Sequence, residues 1–217
     1  MIKAIFFDVD GTLVDTSAVI IKGFQYLMTK YRPDYAITKD DYKRMIGPAL
    51  KDSFPFYFGP NCSFEQLLSD YRTATNHLLT KDNLKLPKHT HECLKELSKN
   101  YKLVVITSRQ HHSAEFVLKA VDLDSYFDLI IGCDDVKEVK PDPESFIKAL
   151  DILKLKPEEV IMIGDSESDI LGGVNANIDS YVVAWTGFDA NHLLKVGAKN
   201  IIKKMDDIID IAKGVTL

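Results

Sequence analysis

The sequence has no apolar run approaching the roughly 20 residues that a membrane-spanning helix needs. Its apolar start, Met1-Ile2-Lys3-Ala4-Ile5-Phe6-Phe7, meets Asp8 before it reaches the length of a signal h-region. That start reads as a buried strand, and we expect a cytoplasmic protein with no membrane partner. Cysteine is scarce: Cys62, Cys93 and Cys133 are an odd number, with no CxxC and no Cys/His ligand spacing. The pattern argues against a disulfide scaffold or a zinc module and suits a reducing compartment. A surplus of positive charge is also missing. Lys and Arg number 27 against 32 Asp and Glu, a formal net charge of -5. No general field draws such a chain to nucleic acid or to an anionic membrane, so any phosphate it binds must be held by local groups. Internal repeats, low-complexity tracts and long charge blocks are absent.

What remains is an ordinary globular composition, 46% hydrophobic and 27% charged over 217 residues. That length suffices for one core plus a small insert. Short apolar, β-branched runs recur at 4–7, 103–107, 129–131, 160–163 and 181–184, with a last pair at Ile201-Ile202. They lack polar alternation, which fits strands buried on both faces of a parallel sheet. Helix-like stretches separate them, at 89–99, 113–120, 144–153, 167–175 and 190–196, with another at 206–212. Such alternation predicts an α/β fold of three layers, a Rossmann-like parallel sheet between helices. Residues 16–81 break the rhythm. Ile20, Ile21, Phe24, Leu27 and Met28 recur at helical spacing, as do Phe64, Leu67, Leu68 and Tyr71, with Gly47-Pro48 and Gly59-Pro60 as punctuation. This section reads as an α-helical insert after the first strand. We expect an α/β core from 1–15 plus 84–217 and a helical cap over 16–83, hinged near 14–17 and 83–87.

Chemistry concentrates where strands end, which is where ligands bind in open parallel sheets. Asp8 follows the first strand, and Asp10 comes two residues later. Two carboxylates so close repel unless a divalent cation neutralises one or one keeps a proton. Gly11 permits a tight turn and close backbone approach, and Thr12 offers a hydroxyl and an amide. Val104-Val105-Ile106 leads into Thr107-Ser108, whose hydroxyls and amides suit phosphate oxygens or a helix cap. In Lys140-Pro141-Asp142-Pro143 two prolines stiffen the backbone around a lysine, which suggests a positioned cation. Ile161-Met162-Ile163 runs into Gly164-Asp165-Ser166-Glu167-Ser168-Asp169, with Asp169 one helical turn beyond Asp165. Hard oxygen donors of this kind suit magnesium.

These segments, in this order and across essentially the whole chain, resemble the haloacid dehalogenase superfamily of hydrolases. The helical insert is similar to the cap of its phosphoglycolate phosphatase branch. The resemblance implies that Asp8 attacks phosphorus to form an aspartyl-phosphate. It implies that Asp10 acts as general acid and then as base. Mg2+ would be held by Asp8, the Asp10 backbone carbonyl and Asp165, with Asp169 supporting the metal through water or orienting Lys140. Thr107 and Lys140, with Ser108, Gly11 and Thr12, would hold the phosphoryl oxygens. Dehalogenases of this superfamily lack the second aspartate, since a halide needs no proton; Asp10 therefore favours phosphoryl chemistry.

The substrate is less legible. Ile46-Gly47-Pro48 with Leu50 resembles the cap loop of phosphoglycolate phosphatases and of bacterial pyrophosphatases, and also suits a plain turn between helices. Arg72 could reach a substrate anion or form an ion pair within the cap. Ser108-Arg109 replaces the Asn-Lys usual in phosphoglycolate phosphatases; Arg109 adds charge near phosphate or lies on the surface. Ala184-Trp185-Thr186-Gly187 looks more like the pyrophosphatases. His89, His91, His111 and His112 accompany no credible carboxylate ligand set and read as exposed. The expectation is a Mg2+-dependent phosphatase acting on a small phosphorylated metabolite of phosphoglycolate type, with an inorganic pyrophosphatase as the alternative. A sugar-phosphate mutase ranks lower, because Ala18, Val19 and Lys22 offer no obvious histidine where mutases carry extra groups. A non-catalytic binding module on the same fold also ranks lower, since Asp8 and Asp10 are both present. We expect a monomer or a dimer.

Overall fold

The computed structural model describes residues 1–215. The strands are β1 (Ala4–Phe7), β2 (Lys102–Ile106), β3 (Leu129–Ile131), β4 (Val160–Gly164), β5 (Asp179–Val183) and β6 (Ile201–Ile202). They form one sheet in the order β3-β2-β1-β4-β5-β6, with each neighbouring pair parallel. Every residue of β1 is fully buried, because β2 and β4 flank it and helices cover both faces. Of the runs read as strands, β1, β3 and β6 match residue for residue, and the rest shift by one or two positions.

Between β1 and β2 lie α1 (Ser17–Tyr31), α2 (Lys39–Met45), α3 (Leu50–Phe58), α4 (Phe64–Thr75) and α5 (Thr90–Leu97). After β2 come α6 (His111–Ala120), α7 (Glu144–Leu153), α8 (Glu167–Asn175), α9 (Ala190–Val196) and α10 (Asp206–Ala212). Strand residues alternate between the two layers. Ile5, Phe7, Val105 and Ile163 pack with Leu94 of α5, Leu118 of α6 and Ile208 of α10. Ala4, Phe6, Val104 and Met162 face the other way, onto Phe146 and Ala149 of α7. None of the helices described is long and apolar enough to cross a membrane.

Helices α1 to α4 carry a hydrophobic cluster of their own, built on Ile20, Phe24, Leu27, Met45, Phe54, Tyr57, Leu67 and Tyr71. Phe24 is its centre: edge-on aromatic contacts join it to Phe54, Tyr57 and Tyr71 at centroid distances of 5.9, 5.6 and 5.9 Å. Periodicity marked α1 and α4 but not α2 and α3. Helix α2 is one short polar stretch held from outside: the Thr38 amide donates to Asp41 Oδ2 at 2.8 Å, and the hydroxyls of Tyr35 and Tyr57 donate to Oδ1 at 2.8 and 3.1 Å. Helix α3 contains Pro55, a residue that speaks against a helix when read alone. The chain enters and leaves this helical segment at one place, where the Asp15 amide donates to the Lys85 carbonyl at 2.8 Å.

Candidate active site

The strand order reverses around β1 and β4, and the loops after these two strands open into one crevice. Asp8 follows β1 directly, its amide donating to the carbonyl of Ile163 in β4 at 3.0 Å. Its carboxylate is 9% exposed and meets Lys140, whose side chain is 3% exposed. Lys140 Nζ donates to Asp8 Oδ1 at 2.8 Å, to Asp169 Oδ1 at 2.5 Å and to the Ile106 carbonyl at 3.0 Å. All three ammonium protons therefore have acceptors. Burial by itself would lower the Lys140 pKa; the carboxylates of Asp169 and Asp8 outweigh it and raise it, so the lysine stays charged.

Asp8, Asp165 and Asp169 place carboxylate oxygens within 4.8 Å of one another, all in buried residues. Three acids and one lysine leave this cluster short of positive charge. Burial raises Asp8 to about 7, and Asp169 and Asp10 push the same way against Lys140. Burial also lifts Asp165 well above the usual carboxylate range, helped by Asp169 and Asp8. A divalent cation would supply the missing charge, so the residues fit one. Asp169 is not the free ligand among them. Its Oδ1 accepts from Lys140, and its Oδ2 accepts from the amides of Asp165 and Ser166 and from Ser166 Oγ at 3.1, 3.0 and 2.7 Å. Asp165 and Asp8 keep acceptor capacity. The fit is close, since a Cβ on Gly11, at φ +80°, would lie 2.1 Å from Asp165 Oδ2.

The Asp10 carboxylate has partners of its own. Arg109 clamps it with two hydrogen bonds, Nε to Oδ2 at 2.6 Å and Nη2 to Oδ1 at 2.7 Å, and the Thr16 hydroxyl also donates to Oδ1. The Arg109 side chain is 14% exposed. Of the two readings open in the sequence for Arg109, the surface one is therefore excluded. Thr107 is buried after β2, and its Oγ1 accepts from the Arg109 amide at 3.2 Å. Thr12 is buried, with an Oγ1 that has no partner among the described residues.

A cavity of about 250 Å³ opens beside Asp10, and Ser108, Gly47 and Arg72 border it. Gly47 adopts φ +100° and lies under Phe188. Arg72 makes no ion pair within the helical segment. It crosses to the N-terminal end of α6, where Nη2 donates to Gln110 Oε1 and lies 2.9 Å from His112 Nε2. The loop after β5 braces the site in a way that its sequence did not disclose. Trp185 Nε1 donates to the Thr12 carbonyl at 3.0 Å, and Thr186 Oγ1 donates to the Asp165 carbonyl at 2.7 Å. The strand-end rule that singled out Asp8, Thr107 and Asp165 points to Trp185 and Thr186 as well.

Residues 5–183 match the family model described as haloacid dehalogenase-like hydrolase. The chain is 35% identical over 211 residues to pyrophosphatase PpaX of Bacillus cereus strain Q1, covering 97% of this chain and 96% of that one. It is 36% identical over 216 residues to pyrophosphatase PpaX of Anoxybacillus flavithermus, covering 99% and 98%. Among solved structures it is similar to a haloacid dehalogenase-like family hydrolase of Streptococcus pneumoniae, at TM-score 0.83 and 27% identity over 97% of this chain and 98% of that one. A predicted phosphatase of Clostridium acetobutylicum superposes with TM-score 0.83 and 27% identity over 99% and 100%. On the sheet order, the strand-end carboxylates and this agreement over nearly its full length, the chain belongs to the haloacid dehalogenase-like hydrolases and is a phosphatase of that family.

Proposed function

We propose that this enzyme hydrolyses a small phosphorylated metabolite in two steps, with Asp8 as nucleophile and Asp10 as acid and base. The observation that carries the reading is the division of labour between the two aspartates. Asp8 shares a buried cluster with Lys140 and Asp165, whereas Asp10 faces the neighbouring cavity.

An Asp8 oxygen attacks phosphorus while the bond to the leaving oxygen breaks, and Asp10 delivers a proton to that oxygen. Water then attacks the aspartyl-phosphate, Asp10 takes a proton from it, and phosphate departs as the Asp8 carboxylate is restored. Lys140 holds the Asp8 carboxylate in place and offsets charge growing on the phosphoryl oxygens. Thr107 and the amides around Gly11 and Thr12 receive those oxygens. Mg2+ would be held by Asp8, Asp165 and the Asp10 backbone carbonyl, where it would neutralise phosphoryl charge. Residues 16–83 act as a cap on an α/β core of 1–15 and 84–217, turning on the paired connectors at Asp15 and Lys85 to admit substrate and exclude water.

The sequence similarity to the PpaX pyrophosphatases supports a second reading, in which the phosphoryl leaves a second phosphate. The test of the shared chemistry is Asp8→Asn. Turnover of every phosphate compound should vanish while thermal unfolding and circular dichroism stay near wild type; retained turnover sinks the nucleophile assignment.

A further inference from the structure

Resting on that phosphatase reading, we propose that the leaving group is an apolar organic alcohol, seated against an open edge of the cap's hydrophobic cluster. Two cavities adjoin the site. The wider, about 630 Å³, is bordered by Lys43, Lys85, Lys88, Lys203 and Lys204, but it meets the site at Gly11 and Asp165. The narrower, about 250 Å³, contains Asp10 in its wall. The leaving oxygen must lie within hydrogen-bond reach of the group that protonates it. Asp10 therefore directs the leaving group into the narrower cavity.

Beside the polar Lys51, Arg72, Thr75 and Asn76, the helical side of that cavity presents the apolar Ile20, Met45, Leu50, Phe64, Leu68 and Tyr71. These apolar side chains belong to, or pack against, the cluster around Phe24. Ile20, Met45 and Tyr71 stay buried, and the half-buried Leu50, Phe64 and Leu68 form the apolar edge that the cavity reaches. On the core side the nearest cation, Arg109, already commits Nε and Nη2 to the two oxygens of Asp10. Arg72 is turned onto Gln110 and His112, and Lys51 is exposed. A departing phosphate dianion would have to shed water against carbon along that side, where the bordering cations are the half-buried Arg72 and the exposed Lys51. A hydrocarbon body would instead cover the cluster and gain from doing so. The space equals roughly eight waters at about 30 Å³ each, more than a second phosphate group fills.

The experiment uses the intact wild-type protein with Mg2+ and two homologous series. Binding of n-alkylphosphonates from methyl to hexyl is read by calorimetry, and kcat/KM is read for the matching n-alkyl phosphates. The parent alcohols of the longer members barely differ in acidity, so the slope along the chain reports burial rather than leaving-group reactivity. Affinity and kcat/KM should each rise at least about tenfold from methyl to hexyl, and Leu68→Asn should flatten the slope. A flat wild-type series overturns the proposal, as does a kcat/KM for pyrophosphate above that for hexyl phosphate. The two readings fail separately. Phosphonate affinity that climbs with chain length while no phosphate is hydrolysed upholds the apolar site and removes the hydrolytic assignment. Brisk hydrolysis with chain-length-independent binding does the reverse. The wild-type series decides the matter even if Leu68→Asn does not fold.

Discussion

Arg109 and Asp10 stand 99 positions apart in sequence and meet as a two-bond fork, Nε to Oδ2 at 2.6 Å and Nη2 to Oδ1 at 2.7 Å. Both side chains are largely withdrawn from water, 14% and 13% exposed. Two parallel bonds fix the plane of a carboxylate as well as its position. If Asp10 is the acid/base, as proposed, Arg109 positions it, and we expect its contribution to turnover to pass through Asp10.

A lysine in place of Arg109 keeps the charge and loses the fork. Arg109→Lys should lower kcat by about 10- to 100-fold, the scale set by displacing a catalytic group by about 1 Å. KM should change far less. Steady-state kinetics on one good substrate separates the two, and an unchanged kcat refutes the positioning role.

The buried acids make opposite predictions for two neighbours. Removing Lys140 leaves Asp8 and Asp169 without their shared counter-charge. Lys140→Ala should cost about 3–5 kcal/mol of stability in metal-free protein. Asp8→Asn removes one negative charge from an overfilled cluster, so the same metal-free protein should be as stable as wild type or more so. Urea titrations of both variants decide this, and a larger loss from Asp8→Asn contradicts the charge balance.

The proposed cation site should have a thermal signature. A ligand present at 100 times its Kd stabilises the folded state by about 2.7 kcal/mol, which for a chain of this size is a rise in Tm of roughly 5–10 °C. Mg2+ should produce such a rise, and a chelator should reverse it. Gly11→Ala should shrink it, because the added methyl would meet Asp165 Oδ2 at 2.1 Å on a backbone of positive φ that side chains disfavour. A full Mg2+ shift in that variant would separate Gly11 from the site.

Acid should loosen the helical segment first. Burial works to raise the Asp41 pKa, but hydrogen bonds from Thr38, Tyr35 and Tyr57 prevail and hold it below the usual value of 3.8. A carboxyl lowered on folding contributes stability that is present above its unfolded pKa and lost as pH falls through its folded one. The loss therefore begins below about pH 4. Amide exchange in α2 should accelerate there before exchange in β1 does, and Asp41→Asn should bring the faster exchange up to neutral pH.

Most of the core was readable because its signals are local. β1, β3 and β6 are unbroken apolar runs, and α7 to α10 begin and end where periodicity says they should. The strand-end placement of Asp8, Thr107 and Asp165 follows from the same pattern. Helices α2 and α3 were not readable. One holds its first turn through tyrosines from elsewhere, and the other carries Pro55 against its own propensity. Arg109 stayed ambiguous for a related reason. Two residues past a strand, it suits a surface loop equally well until Asp10, at the end of another strand, comes into contact. Arg72 had two open readings, a substrate anion or an ion pair within the cap; its side chain meets Gln110 and His112 at the start of α6, a relation that depends on how α4 lies over the sheet.

The single backbone bond between Asp15 and Lys85 bears on how such a chain diversifies. Because the polypeptide leaves and rejoins the sheet at one paired point, the proposed cap is inserted into the βαβ framework at a single place. The register of β1 against β2 and β4 is set outside that segment. On the proposed reading, the nucleophile belongs to the framework and the choice of leaving group to the segment between these two positions. A graft of residues 16–83 from a relative, joined at these two positions, would transplant substrate preference while keeping the reaction.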